Sequence, residues 1–229
     1  MSVMPFPIDP LADDVIERLH AQARHEKPAL AWMYATQLPS LLLGRGLRFD
    51  PASRDRFDDK VIPVGPDCGA MLYLLARASR ATRIVEFGTS FGLSTIYLAS
   101  VVRDNGGGLV IGSELVPAKV AAARAHLEEA GLTEFVDIRE GDARETLAQL
   151  DEPIDLFLVD GFPDLALEIL DLVEPHLRPG ALVVMDDVSL FRADLAPLVA
   201  RLSDPSGGYA CLQVPVDDGI LVAVRRGVA

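Results

Sequence analysis

The sequence predicts an α/β protein with a doubly wound, mostly parallel sheet of about seven strands. Short β-branched, apolar runs alternate along the chain with longer stretches that have helical spacing. The apolar runs are nearly continuous, which is typical of strands covered by helices on both faces. Half of the 229 residues are apolar, so the chain can bury a large core within one domain of generous size.

The alternating strands and helices begin near Thr82. Five runs have the composition of buried parallel strands: Arg83–Phe87, Leu109–Gly112, Phe135–Ile138, Ile154–Val159 and Ala181–Met185. Four amphipathic stretches between them are long enough for helices: Leu93–Val102, Ala118–Ala130, Ala143–Leu150 and Leu165–Leu177. Pro117 and Gly131 stand where a helix start and a helix end accept these residues. This alternation predicts βαβ units in a parallel sheet.

The C-terminal part predicts a different pairing. After a helix that starts near Ser189, two alternating runs span Tyr209–Val216 and Ile220–Val224. Asp217-Asp218-Gly219 joins them, and a short connection that ends in Asp-Gly is typical of a β-hairpin. We therefore expect the last two strands to be antiparallel at one edge of the sheet.

The N-terminal part predicts helices. Asp9-Pro10 is a good helix start, and Leu11–Glu26 and Ala29–Leu43 have helical spacing. The charged stretch Asp50–Lys60 predicts a surface excursion before the first strand. We therefore divide the chain into an N-terminal helical cap, residues 1–60, and a sheet-bearing domain, residues 61–229.

Composition excludes several kinds of partner and site. The chain has 21 basic and 34 acidic residues, and its net charge of −13 repels phosphate backbones. Cys68 and Cys211 lie far apart without a CxxC motif, which argues against a disulfide framework and a zinc site. The N-terminus lacks the features of a signal peptide, and no apolar run approaches the ~20 residues of a membrane span. We expect a soluble, cytoplasmic protein that binds neither nucleic acid nor membrane.

A turn with two glycines follows the first strand and opens the next helix, in the run Glu86-Phe87-Gly88-Thr89-Ser90-Phe91-Gly92-Leu93-Ser94. Ligands of open α/β sheets bind at this end of the strands. Gly88 and Gly92 let the backbone turn sharply and approach a ligand closely. The spacing differs from the G-x-G-x-x-G of dinucleotide sites, and a tight turn without a ligand is the alternative.

Acidic residues follow the next two strands. Glu114 ends the second strand, where a carboxylate can accept hydrogen bonds from both hydroxyls of a ribose. Asp142 follows the third strand and can accept a hydrogen bond from an adenine amine. Each acid alone is better explained as a helix cap or a solvated strand end. Together with the glycine turn, the two acids favour a bound nucleoside.

These segments and the closing hairpin resemble class I methyltransferases that use S-adenosylmethionine, above all the small-molecule O-methyltransferases related to catechol and caffeoyl-CoA O-methyltransferases. The resemblance extends from about residue 61 to residue 225, so it identifies residues 61–229 as the cofactor-binding domain. It implies that the glycine turn holds the methionine part of the cofactor, Glu114 the ribose, and Asp142 the adenine. The residues that it assigns to the cofactor are Val64, Glu86, Gly88, Ser90, Gly92, Ser94, Glu114, Asp142, Ala143 and Asp160.

Three further carboxylates predict a metal site. Asp160 ends the fourth strand, and Asp186 and Asp187 end the fifth. Oxygen ligands from adjacent strand ends suit Mg²⁺ or another divalent cation. The enzymes that the chain resembles use Asp, Asp and Asn at these positions, so Asp187 replaces the Asn. The alternative is that Asp186 or Asp187 only caps the following helix.

The lysine that serves as general base in that family is missing. Pro163 occupies its place, three residues after Asp160. General-base assistance is worth about 10²–10⁴-fold, so its loss would slow methyl transfer without forbidding it. Asp187 or Asp164 can accept the proton if crowding among acids raises its pKa, and we assign Asp160 and Asp187 to the catalytic group.

The sequence thus predicts an S-adenosylmethionine-dependent methyltransferase that acts on the hydroxyl of a small, aromatic acceptor with help from a divalent cation. We expect it to form a homodimer, as related enzymes often do. The alternatives are a metal-independent methyltransferase for a different acceptor, or a cofactor-binding protein that has lost catalysis with the lysine. An NAD-dependent oxidoreductase is disfavoured because the third glycine of its fingerprint is absent.

Overall fold

The computed structural model describes residues 8–62 and 64–227, and for residues 27–31 and 33 it describes the backbone alone. Within these ranges, seven strands form one sheet in the order β3-β2-β1-β4-β5-β7-β6. The strands are β1 (Arg83–Phe87), β2 (Leu109–Glu114), β3 (Val136–Glu140), β4 (Ile154–Val159), β5 (Leu177–Met185), β6 (Tyr209–Val214) and β7 (Ile220–Arg225). β1 to β5 are parallel, whereas β7 is antiparallel to β5 and β6. The predicted sheet and its antiparallel hairpin are confirmed.

Helices cover both faces of the sheet. The described residues form α1 (Pro10–Met33), α2 (Leu38–Leu42), α3 (Pro66–Ala78), α4 (Leu93–Asp104), α5 (Pro117–Glu129), α6 (Ala143–Thr146), α7 (Ala166–Val173) and α8 (Ala196–Ser203). Alternate strand residues point to opposite faces. Ile84 and Leu156 accordingly pack in one buried cluster with α1, α3, α4 and α5, while Val85 and Phe157 pack in another with α7 and α8.

The first half of α1 is part of this core. Ala12, Val15, Ile16 and Leu19 are buried in the same cluster as residues of α3, α4 and α5. The N-terminal residues therefore complete one helical layer over the sheet. The division at residue 60 stays a prediction.

The N-terminal half differs in detail from the expected elements. The stretch expected as one helix over Ala29–Leu43 is divided between the end of α1, a 3-10 turn (Ala35–Gln37) and α2. Pro39 lies in the first turn of α2, where a proline is accepted but cannot continue a preceding helix. The charged stretch before β1 contains a 3-10 helix, Pro51–Phe57, that buries Phe57. The helix α3 had not been predicted.

Two helices of the sheet domain are also shorter than expected. α6 ends at Thr146, because the Nη1 group of Arg139 donates hydrogen bonds to the carbonyls of Thr146 and Gln149 (2.8 and 3.0 Å). The helix expected from Ser189 begins only at Ala196 as α8, with a proline in its first turn. Turns fill the interval after β5, and this interval borders the functional site described below.

The strand register aligns the carboxyl ends of the parallel strands at one edge. Phe87 pairs with Ser113 and with Val159, and Val159 pairs with Met185. The side chains that follow these residues therefore meet at the same edge of the sheet. No helix among the described residues is long and apolar enough to cross a membrane.

Candidate active site

A cavity of about 520 Å³ lies at the carboxyl ends of β1 to β5. Seven of the predicted site residues line it: Gly88, Ser90, Glu114, Asp142, Ala143, Asp160 and Asp187. Val64 and Ser94 line a small adjoining recess, which shares Gly88, Ser90 and Asp160 with the cavity. The fold therefore brings most of the sequence-predicted site residues together in one place.

The glycine turn after β1 touches the end of β4. Gly88 has a φ of +97°, and a Cβ there would lie 2.5 Å from the carbonyl oxygen of Asp160. Only glycine permits this approach. Ser90 also has positive φ, and its Oγ is buried without a hydrogen-bond partner among the described residues. Buried hydroxyls nearly always have a partner, so the Ser90 hydroxyl is available to a ligand.

Glu86 lies beneath this turn rather than in the cavity. Its fully buried carboxylate accepts hydrogen bonds from the hydroxyls of Thr89 (2.9 Å), Ser94 (2.6 Å) and Thr95 (2.6 Å). Burial raises the pKa of Glu86, and the three hydroxyl groups oppose that rise. Gly92 is the N-cap of α4 and packs against Ala123 of α5. Glu86 and Gly92, two of the predicted cofactor residues, therefore support the turn and do not line the cavity.

Glu114 is held in place by backbone amides. Its Oε2 accepts a hydrogen bond from the Ser90 amide (2.7 Å), and its Oε1 accepts one from the Val116 amide (2.8 Å). The side chain is almost buried but still lines the cavity. A carboxylate has about four lone-pair sites, so both oxygens can still accept hydrogen bonds from the hydroxyls of a ribose.

Asp142 lies at the N-terminus of α6, where its Oδ1 accepts a hydrogen bond from the Arg144 amide (2.9 Å). The side chain of Arg144 also donates to this carboxylate, which lowers the pKa of Asp142. The expected helix-cap role is therefore present, and the same residue lines the cavity with Ala143.

Comparison with known proteins decides the family. The sequence model of a family described as a methyltransferase domain matches residues 85–188, a range that includes the glycine turn and the acids at the strand ends. A protein assigned as an O-methyltransferase in Mycobacteroides abscessus is 31% identical over 176 residues, which cover 71% of this chain and 81% of that protein. The chain therefore belongs to the S-adenosylmethionine-dependent O-methyltransferases.

Two further comparisons agree with this membership. A catechol O-methyltransferase of Niastella koreensis is 37% identical over 131 residues, although the match covers only 56% of this chain and 58% of that enzyme. The solved structure of an O-methyltransferase from Streptomyces achromogenes, in complex with S-adenosylmethionine, has a TM-score of 0.67 and 26% identity. That comparison covers 79% of this chain and 92% of the other.

Asp160 and Asp187 face the cavity of this O-methyltransferase from the ends of β4 and β5. Burial raises the pKa of Asp160 well above its ordinary value, and repulsion by Asp186 and Asp187 adds to the rise. Burial likewise raises the pKa of Asp187, and Asp186 again adds to the effect. The backbone of Asp187 has a positive φ of +58°, a conformation that Asp and Asn adopt more readily than most residues.

Asp186 points elsewhere. Its Oδ1 accepts a hydrogen bond from the Asp187 amide (2.8 Å), and its Oδ2 accepts one from the Cys68 thiol (3.5 Å). Asp186 does not line the cavity. Within residues 8–62 and 64–227, no three His, Cys, Asp or Glu side chains are grouped as a metal site. Of the predicted ligand set, Asp160 and Asp187 line the cavity, and the three-carboxylate metal site stays a prediction.

Pro163 lines the cavity at the position where the family has its lysine. Asp164, which we considered as an alternative proton acceptor, forms an ion pair with Arg54 and does not line the cavity. Of the three carboxylates that the sequence suggested for catalysis or proton transfer, Asp160 and Asp187 therefore line the cavity and Asp164 does not.

Sequence reasoning missed the part that the N-terminal segment contributes to an aromatic wall of the cavity. The wall consists of Tyr34, Phe49, Phe57, Phe162 and Phe191, all of which line the cavity. Its rings are in contact, with centroids between 5.2 and 6.5 Å apart. Burial raises the pKa of Tyr34 to about 12, and the nearby charge of Asp187 adds to this. The available sequence signal for this wall was the pair Phe49 and Phe57, which precede and interrupt the charged stretch Asp50–Lys60.

Proposed function

We propose that this O-methyltransferase transfers the methyl group of S-adenosylmethionine to a hydroxyl of a small aromatic acceptor. The observation that carries the proposal is that a buried, unpartnered Ser90 hydroxyl and the Glu114 carboxylate border the same cavity as Asp160 and Asp187. One end of the cavity thus suits a nucleoside and the other a group that loses a proton. The aromatic wall suits a flat, apolar acceptor.

The residues present fit the cofactor. S-adenosylmethionine supplies an electrophilic methyl group on a sulfonium. Glu114, fixed by two backbone amides, orients the ribose, and the Gly88 turn admits the methionine part close to the backbone. These residues would hold the cofactor at the carboxyl ends of the strands, and positioning of this kind supplies much of the acceleration of a transfer reaction.

Asp160 and Asp187 take the proton of the acceptor hydroxyl in this proposal. A carboxylate whose pKa is raised is a stronger base than an ordinary one. Burial raises the pKa of both residues. Where a divalent cation binds, the same two side chains would hold it, since Mg²⁺ is usually bound by one or two carboxylates together with waters and substrate, and the cation would then replace them as the group that activates the hydroxyl. Such a cation would lower the pKa of a bound hydroxyl.

Calorimetry tests the cofactor assignment. We expect S-adenosylmethionine and S-adenosylhomocysteine to bind the wild-type protein, and NAD not to bind. Glu114→Gln should weaken both by at least about tenfold, because an amide cannot accept from two backbone amides and two hydroxyls as a carboxylate does. Glu140→Gln is the control, since Glu140 is an exposed acid at the end of the neighbouring strand. Tight binding of NAD would contradict the proposal.

Chelation tests the cation. We expect EDTA to reduce turnover of a catechol acceptor by at least about tenfold and Mg²⁺ to restore it. Calorimetry with Mg²⁺ alone should show binding that Asp160→Ala and Asp187→Ala abolish, because alanine has no ligand oxygen, while Asp186→Ala has the smaller effect. If chelation leaves turnover unchanged, the enzyme is independent of metal. If no catechol is methylated although the cofactor binds, a cofactor-binding protein without catalysis is the better description.

A further inference from the structure

Arg54 places a positive charge on the cavity wall. It lies on the 3-10 helix Pro51–Phe57, lines the cavity, and has a side chain that is 29% exposed. Its guanidinium carbon is 5.0 Å from the centre of the Phe162 ring and 6.0 Å from that of the Phe49 ring. The two rings themselves are in contact. Packing against aromatic faces restrains the arginine and pre-organises its charge.

The hydrogen-bonding capacity of Arg54 is only partly used. Its Nη2 donates to Asp164, whereas its Nε is buried and has no partner among the residues that the structure describes. A guanidinium has five N–H donors in a planar fork that matches a carboxylate. A buried donor without an acceptor is unfavourable, so an oxygen of a bound molecule would be stabilised at this position.

The charge of the cavity limits where an anion can bind. Five acidic side chains line it, Asp58, Glu114, Asp142, Asp160 and Asp187, against two basic ones, Arg54 and Lys119. Lys119 lies against Phe91 and near Glu114, at the end that we assign to the ribose. Arg54 lies against Phe162 of the aromatic wall, although its charge also reaches Asp142, so it is the basic group that can offset a negative charge on an acceptor at that wall.

We infer that Arg54 selects aromatic acceptors that carry a carboxylate, which binds to its unpaired N–H groups while the ring packs against Phe162. The inference rests on the proposed function, because it concerns the acceptor of that reaction. Phe162 follows Asp160 by two residues, and both line the cavity. A ring that packs against Phe162 with its carboxylate at Arg54 would thus occupy the same cavity as the two acids.

Calorimetry with the full chain tests the inference without turnover. The protein is saturated with S-adenosylhomocysteine in a buffer that contains Mg²⁺, and is titrated with 3,4-dihydroxycinnamate or its uncharged methyl ester. We expect the acid to bind about tenfold more tightly than the ester. Arg54→Gln should remove this difference, so that the ratio of the Kd values of ester and acid falls to about one. Arg56→Gln is the control, because it removes the same charge from an exposed neighbour on the same 3-10 helix. It should preserve the difference in binding between the acid and the ester.

A second variant acts in the opposite direction. Asp164→Asn removes the carboxylate that competes for Arg54, so the acid should bind about threefold more tightly. Equal binding of acid and ester by the wild type, binding of neither, or a preference that survives Arg54→Gln would overturn the role of Arg54. A wild-type protein that fails to bind S-adenosylhomocysteine would instead overturn the proposed function, so the two failures are distinguishable.

Discussion

Pro163 is the residue at which this chain departs most clearly from the enzymes it resembles. It lines the cavity near Asp160, where the family has a lysine that acts as general base. A proline has no side-chain group that exchanges protons. In the function that we propose, the nearby carboxylates take over that task, and they are weaker bases than an amine.

Restoring the amine is a direct test at the residue scale. Pro163→Lys should raise turnover of a catechol acceptor by about 10²-fold, the lower end of what a general base contributes. Pro163→Ala is the matched control, because it removes the ring without adding an amine. Initial rates at saturating cofactor, with thermal melts to verify folding, make the comparison. No gain over Pro163→Ala would mean that the cavity serves an acceptor of another kind.

Single residues differed in how well the sequence predicted them. Glu114 and Asp142 were located from their positions after apolar runs, because the ends of parallel strands meet at one edge. Asp186 has the same sequence signal as Asp187, yet it faces Cys68 and not the cavity. The direction of a side chain after a strand depends on the turn that follows, and adjacent residues point to opposite sides.

At the scale of structural elements, Asp155 connects the amino ends of neighbouring strands through hydrogen bonds. This second residue of β4 accepts hydrogen bonds from the amides of Thr82 (2.8 Å) and Arg83 (2.9 Å) and from Arg178 of β5. Burial alone would raise the pKa of Asp155, but Arg178 and the two amides lower it overall. One carboxylate thus connects three adjacent segments of the sheet, on the side opposite the cavity.

Removal of this carboxylate should destabilise the fold without changing the cavity. Asp155→Ala leaves Arg178 and two amides without their acceptor and should lower the free energy of unfolding by about 3 kcal/mol. Because the pKa of Asp155 is lowered in the folded state, its contribution is present above the pKa of the unfolded chain. It is lost as the pH falls through the folded value. Urea denaturation between pH 3 and pH 7 (values chosen around the ordinary Asp pKa of about 3.9) measures both effects.

The control for Asp155 is Asp137, the second residue of β3, which pairs with Arg139 while 47% exposed. Asp137→Ala should change stability by no more than about 0.5 kcal/mol. A similar loss in both variants would show that the Asp155 contacts contribute nothing beyond an ordinary surface ion pair.

Elements with a strong periodic pattern were predicted well. Elements whose length depends on a side chain that binds their carbonyl groups were not. The five parallel strands and α4, α5 and α7 lie close to the expected positions, because their apolar faces must be buried against the sheet. α6 is short because Arg139 binds the carbonyls that would continue it. A contact between β3 and a loop cannot be inferred from the pattern of either segment alone.

At the scale of the whole molecule, an exposed apolar region lies on the N-terminal side. Trp32, Leu38, Leu42 and Leu43 are exposed, and residues 27–49 contain no acidic residue although the chain has 34. Exposed apolar patches of this kind often mark contacts between proteins. Two copies can approach here without the repulsion that a net charge of −13 produces elsewhere.

The homodimer therefore stays our prediction, and we place its interface at the exposed apolar region that contains Leu42 and Leu43. Light scattering after gel filtration should give twice the 24.7 kDa of the chain. Leu42→Lys combined with Leu43→Lys should reduce the mass to that of one chain, because charges would be buried in the interface. Leu74→Lys, an exposed leucine on α3, is the control. A single-chain mass for the wild type would contradict the prediction.

The sequence by itself determined the parallel sheet, its antiparallel edge and the acids at the strand ends, because hydrophobic periodicity and strand direction are local properties. Tertiary structure decided which of those acids face the cavity and which residues close it. Arg54 reaches the site from a stretch predicted to be surface, and Phe49 immediately precedes that stretch. Their position depends on contacts with Phe162 and Asp164, more than 100 residues away along the chain. Such long-range contacts leave no periodic signal in either segment.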